Sequence, residues 1–186
     1  MTTTRPMLLL DVDGVLNALS DRPDTQVWQD WQRVDVSNRV GTFSVQWSPT
    51  VTTTITSWIE RDLVTVVCLT TWLDDGNGAL RETLGLPDCP GLGSHLSDDP
   101  ALPSSGNGLG WWKADLLKEY LKEHPGTPFV WLDDDLRVMR ALQAQLSAEH
   151  DCLLIGPPSR VGLTPKHLRA VEDWLLRHHA KPEGAP

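Results

Sequence analysis

Apolar positions along the chain fall into short unbroken runs and longer segments with helical spacing. The runs are Met7-Leu8-Leu9-Leu10, Leu63-Val64-Thr65-Val66-Val67-Cys68-Leu69, Phe129-Val130-Trp131-Leu132 and Cys152-Leu153-Leu154-Ile155. Runs of this length, partly β-branched, suit strands covered on both faces. Between them, Val51, Ile55, Trp58 and Ile59 recur at helical spacing, with Ser48 as N-cap and Pro49 at the first helical position. That helix is expected to stop near Asp62. A second helix is expected over 74–84, closed by Gly85 and Pro87, and a third over 111–123 with Trp112, Leu116, Leu117, Tyr120 and Leu121 inward. A fourth would bury Met139, Leu142 and Leu146; a fifth, opened by Thr164-Pro165, would bury Leu168, Val171 and Leu175. Strands that alternate with helices predict an α/β fold with a mainly parallel sheet.

Two segments escape this alternation. Residues 18–47 are polar and Trp-bearing, with partial alternation in Trp28-Gln29-Asp30-Trp31 and Phe43-Ser44-Val45-Gln46-Trp47. They read as a small hairpin turning near 38–41, a flap inserted after the first strand. Residues 86–110, rich in Gly, Pro, Ser and Asp, read as a long loop or a degraded strand. The expected organisation is one domain over 1–180 with a loose tail over 181–186.

The whole-chain properties narrow the function. At 186 residues the chain can bury the core of one domain. Its net charge of -9 argues against strong non-specific nucleic-acid binding, though a local basic pocket stays open. Cys68 and Cys152 lie in apolar runs and read as buried thiols of a reducing compartment, while Cys89 and His95 lack the further ligands a metal pair would need. The first apolar run is too short for a signal peptide, and no segment is long enough to span a membrane. A cytoplasmic domain of enzyme size is the expectation.

Candidate chemistry lies at the strand ends. The first run leads into Asp11-Val12-Asp13-Gly14, the second into Thr70-Thr71-Trp72, and the third into Asp133-Asp134-Asp135. In a parallel sheet these ends share one edge, so the groups converge where α/β sheets bind ligands. A single Asp after a strand is commonly a turn or capping residue; three strand ends equipped alike point to a site. Several carboxylates in one place repel one another and call for a cation. Oxygen ligands alone favour a hard ion, Mg²⁺ in particular. Lys113 lies in the first turn of its helix, where the dipole disfavours a cation, and one turn before Leu117 and Leu121 on the buried stripe. Its alternatives are to snorkel to solvent or to hold an anion.

Asp11-Val12-Asp13-Gly14, Thr70 after a β-branched strand, Lys113 on a later helix and Leu132-Asp133-Asp134, in that order, resemble the four signatures of the haloacid dehalogenase (HAD) superfamily of phosphohydrolases. The resemblance runs from about Met7 to Ile155. The Leu-Thr-Thr-Trp segment and the Trp-Leu-Asp-Asp ending are similar to a small bacterial branch described as HAD domains associated with RNA-repair systems. It implies a three-layer, Rossmann-like sheet flanked by helices, with a small flap and no large cap. It also implies a Mg²⁺-dependent phosphomonoesterase in which Asp11 attacks phosphorus and Asp13 protonates the leaving oxygen, then activates water. Thr70, with Thr71 beside it, and Lys113 would bind the phosphoryl oxygens. Asp11, the turn at Asp13, Asp133 and Asp134 would hold the metal, with Asp135 leaving the register of the acidic pair open. The dehalogenases of the superfamily lack the second carboxylate, so Asp13 turns the expectation from carbon–halogen cleavage to phosphoester hydrolysis. The absence of a large cap goes with bulky substrates, so the phosphorylated partner could be a small molecule, a nucleotide or a nucleic-acid end. Trp28, Trp31, Trp47 and Trp72 would then either stack a base near the mouth or simply pack. Two rivals are a receiver-like phospho-acceptor switch and a non-catalytic binding domain of the same fold. Receivers, however, carry an adjacent acid pair on the first strand rather than Asp-x-Asp-Gly.

Overall fold

Every residue of β1 (Met7–Leu10) is buried, because this strand lies inside the sheet with a helical layer on each face. The computed structural model describes residues 5–37, 41–92 and 111–179, with backbone alone for 73–77. The turn at 38–40, His95 and the rest of 93–110, and the 181–186 tail lie outside the described residues. After β1 come the hairpin strands β2 (Gln32–Ser37) and β3 (Thr42–Trp47), then α1 (Pro49–Glu60), β4 (Thr65–Cys68) and α2 (Leu73–Leu84). The second half holds α3 (Trp112–Glu123), β5 (Phe129–Leu132), a 3-10 turn over Asp134–Arg137, α4 (Arg140–Glu149), β6 (Cys152–Ile155) and α5 (Pro165–His179).

The sheet has the order β4-β1-β5-β6 and is parallel throughout. The chain steps from β1 to one neighbour and later returns to the other, so β1 and β5 flank the point where strand order reverses. Leu10 pairs with both Cys68 and Leu132, and Leu132 with Ile155, so the strands end level. Alternation sends Leu8, Leu10, Val66, Val130 and Leu132 to one face, against α1, α2, α5 and the hairpin. Met7, Leu9, Val67, Phe129 and Trp131 point to the other, against α3 and α4. Part of the 86–110 segment is a degraded strand: Cys68 N donates to Pro90 O (2.9 Å) and Leu92 N to Cys68 O (2.8 Å), alongside β4.

Several elements depart from the expected boundaries for identifiable reasons. The inner stripe of α3 is Lys113, Ala114, Leu117 and Leu121, whereas Trp112, Leu116 and Tyr120 are half-buried. Two buried acids receive Lys113 and so turn the helix from the face its aromatics alone would choose. The fourth helix starts at Arg140, after the 3-10 turn, and buries Leu146 alone, with Met139 and Leu142 half-buried. β6 is an edge strand and is half-buried, Cys152 included. Ser48 occupies the N-cap of α1, yet its hydroxyl donates to Asp30 Oδ1 (2.6 Å) instead of accepting a helix N–H. The Asp30 carboxylate performs the capping, accepting from Thr50 N (2.9 Å) and Thr50 Oγ1 (2.6 Å). The segment before the hairpin is thereby fastened to α1.

The Trp residues near the hairpin are mainly structural. Trp28, Trp47 and Trp72 are buried. Trp28 Nε1 donates to Leu163 O (2.8 Å), which ties the hairpin segment to the loop before α5. Among the described residues no helix is long and apolar enough to cross a membrane.

Candidate active site

Three strand ends place their polar residues together. The ladder continues one residue beyond the strands, with Asp11 N donating to Leu132 O (3.0 Å), Leu69 N to Leu10 O (2.9 Å) and Asp133 N to Ile155 O (3.1 Å). The parallel register therefore sets Asp11 and Asp133 side by side. Lys113 reaches between them from the first turn of α3, its Nζ 2.7 Å from Asp11 Oδ2 and 2.7 Å from Asp133 Oδ2. All three are buried, at 6 %, 0 % and 4 % exposure for Asp11, Asp133 and Lys113. The Lys113 ammonium also lies 5.6 Å from the Trp111 ring centroid and 5.8 Å from that of Trp112, within cation–π range. Trp111 in turn stacks on Trp131, with centroids 4.9 Å apart.

The second oxygen of each acid is also held. Asp11 Oδ1 accepts from Val12 N (2.8 Å), and Asp133 Oδ1 from Asp135 N (3.1 Å), so Asp133 caps the 3-10 turn. The buried Thr70 hydroxyl, which accepts from Trp72 N (3.4 Å), helps to offset the burial of Asp11. Thr71, next in the turn, is exposed, as is Asp135.

Gly14 admits the third acid. Its φ is +73°, and a Cβ built there would lie 2.5 and 2.7 Å from the two Asp134 carboxylate oxygens. One oxygen from each of Asp11, Asp133 and Asp134 lies within 4.8 Å of the others. Three carboxylates grouped this closely could hold a hard divalent ion such as Mg²⁺. The all-oxygen donor group, with Asp11 and Asp133 buried and Asp134 half-buried, fits such an ion.

The charges are short of positive counterparts. Burial would lower the Lys113 pKa, but the charges of Asp11 and Asp133 outweigh it and raise it, so the ammonium stays charged. Burial pushes the Asp11 carboxyl up against the pull of Lys113. Asp133 is pushed up to about 7, by burial and then by the Asp11 charge. Asp134 is pushed up to about 6, by burial and then by Asp135 and Asp11. One ammonium does not neutralise three carboxylates, and a cation among them would relieve the deficit.

Asp13 stands apart from this group. It is half-buried, and its carboxylate accepts from Asn17 Nδ2 at Oδ1 (2.7 Å) and from Trp72 Nε1 at Oδ2 (3.1 Å). The sequence marks Trp72 only as a base-stacking or packing candidate, not as a partner of Asp13, and Asn17, four residues after Asp13, has only the spacing of a turn.

Asp11, Thr70, Lys113 and the Asp133-Asp134 pair thus meet at one sheet edge, with Asp13 in the turn that follows β1. A family model described as the HAD domain in Swiss Army Knife RNA repair proteins matches residues 7–168. The chain belongs to this family. No curated protein and no solved structure matches the chain. The match to the HAD domain begins at the first residue of β1 and ends inside α5, so it takes in every described strand and every residue of the cluster.

Proposed function

We propose that this HAD domain is a Mg²⁺-dependent phosphomonoester hydrolase that works through an aspartyl-phosphate on Asp11. The observation that carries the reading is the buried Lys113 ammonium shared at 2.7 Å by Asp11 and Asp133, from adjacent strands, with Asp134 alongside. An oxygen of Asp11 attacks phosphorus, an accepted role for a carboxylate. Asp13, two residues further on, gives a proton to the departing ester oxygen and then takes one from the water that cleaves the acyl phosphate. Thr70 and Lys113 hold the phosphoryl oxygens, with Thr71 at the rim. Asp11, Asp133 and Asp134, with the Asp13 turn, would hold Mg²⁺, which supplies charge stabilisation for the phosphoryl group.

The substrate we assign is a phosphorylated nucleic-acid end or nucleotide. Two observations support it: the family's description names RNA repair, and the insertion seen after β1 is a two-stranded hairpin rather than a domain that could enclose a small metabolite. We assign the protein to the cytosol, a compartment that would keep the free thiols of Cys68, Cys89 and Cys152 reduced.

The test is phosphate release from an aryl phosphate and from 5′- and 3′-phosphorylated oligonucleotides, with Mg²⁺ and with a chelator. Turnover should require the metal, and Asp11→Asn should lower it by at least about 10³-fold with the fold retained. An unchanged rate in Asp11→Asn removes Asp11 as nucleophile. A single labelling from acetyl phosphate without turnover would instead mark a phospho-acceptor.

A further inference from the structure

We infer that the β2–β3 hairpin aims the Asp13 carboxylate, gripping one oxygen through Trp72 and the other through Asn17. This rests on the phosphohydrolase reading and makes Trp72 and Asn17 positioning residues for its acid step. In that step an Asp11 oxygen bonds to phosphorus and the bond to the ester oxygen breaks, its electron pair staying on that oxygen. The Asp13 proton goes to the same oxygen.

Both grips lead to β3. Asn17 is buried, and its Oδ1 accepts from Gln46 N (2.9 Å), which fixes the amide orientation and leaves Nδ2 facing Asp13 Oδ1. Ala18 N donates back to Gln46 O (2.8 Å), so the turn after Asp13 is pinned to this strand. Three residues earlier on β3, Phe43 meets the Trp72 indole edge-on, with centroids 5.6 Å apart and planes at 69°. Trp72 then donates Nε1–H to the other Asp13 oxygen at 3.1 Å. With a donor on each oxygen the carboxylate cannot swing, yet each oxygen keeps a lone pair for the proton it must carry.

A plainer account would have Asp13 merely satisfying a buried indole. That account leaves Asn17 unexplained: a second donor, fixed in orientation by Gln46 N, holds the other Asp13 oxygen. Phe43 points the same way: 42 % exposed, it is a large apolar side chain kept at the surface against Trp72.

The experiment compares Trp72→Phe and Phe43→Ala with the wild type on 4-nitrophenyl phosphate and 4-nitrobenzyl phosphate. The two esters are alike in shape but differ in how much their leaving oxygens need a proton. Because kcat/KM reports the steps up to departure of the alcohol, the aryl-to-benzyl ratio of kcat/KM isolates the acid step. That ratio should widen by about 10-fold or more in Trp72→Phe, and by about 3-fold in Phe43→Ala, since a misaimed acid loses part of its 10²–10⁴-fold contribution. Phe43 is at the surface, so its variant carries the test if Trp72→Phe fails to fold. An unchanged ratio in the folded variants, or equal losses on both esters, overturns the positioning role. Wild-type protein that releases phosphate from neither ester nor a phosphorylated oligonucleotide overturns the hydrolase reading and this inference with it.

Discussion

Gly14 meets two demands that no other residue could meet together. Its φ of +73° lies in the left-handed region, and the space where a Cβ would stand is taken by the Asp134 carboxylate. Gly14→Ala should therefore cost about 1–2 kcal/mol from backbone conformation alone. It should also push Asp134 away and weaken Mg²⁺ binding at least several-fold, which titration calorimetry would register. Lys113 offers a second test at this scale. Lys113→Met leaves Asp11 and Asp133 facing each other without their shared ammonium. Loss of a charged hydrogen-bond donor, worth about 1.5–3 kcal/mol, should weaken inhibition by inorganic phosphate by at least about 10-fold. Equal inhibition constants in the two proteins would take Lys113 out of the phosphate site. The sequence showed Gly14 as a turn and Lys113 as a misplaced cation, because both features are local. That Asp134 fills the space beside Gly14 depends on a strand more than a hundred residues away, and no local pattern carries it.

Among the elements, the hairpin and α1 are joined at Asp30. Partial burial would raise the pKa of this carboxyl, but hydrogen bonds from Ser48 and Thr50 outweigh it and hold it below the ordinary 3.8. The folded form therefore favours the ionised acid, and its contribution is present above pH 3.8 and lost as pH falls through the lowered value. Asp30→Ala should lower stability by about 1 kcal/mol at pH 7, as loss of a helix cap does. The gap between the two melting temperatures should close as pH drops below 4. A gap that persists unchanged at pH 2.5 would assign the loss to packing instead. Helix and strand periods in the sequence located both partners, and Ser48-Pro49 marked the helix start. The capping carboxylate was not legible, since it comes from a residue eighteen positions earlier in an irregular segment. In the same way the face of α3 could be read only to within a turn, because its inner stripe is decided by two acids on other strands.

Over the whole molecule, the site sits where β1 and β5 flank the reversal of strand order, so one sheet edge gathers Asp11, Thr70 and Asp133. This convergence was legible from apolar runs ending in polar residues, since parallel strands leave no other edge for them. An ion bound there should stabilise the fold as a whole. At a hundredfold excess over Kd the gain is about 2.7 kcal/mol, or about 5–10 °C in Tm for a chain of this size. Asp134→Asn should remove most of that shift, and identical melting with Mg²⁺ and with a chelator would refute the site.

Level strand ends have a consequence for how this chain can vary. A residue inserted within Met7–Leu10 or Phe129–Leu132 would carry one carboxylate onward by about 3.3 Å and flip it to the opposite side of the sheet. Lengthening a connection between strands would disturb neither acid. Length differences among descendants of this gene should therefore collect in the links, while the spans leading to Asp11 and Asp133 keep a constant count.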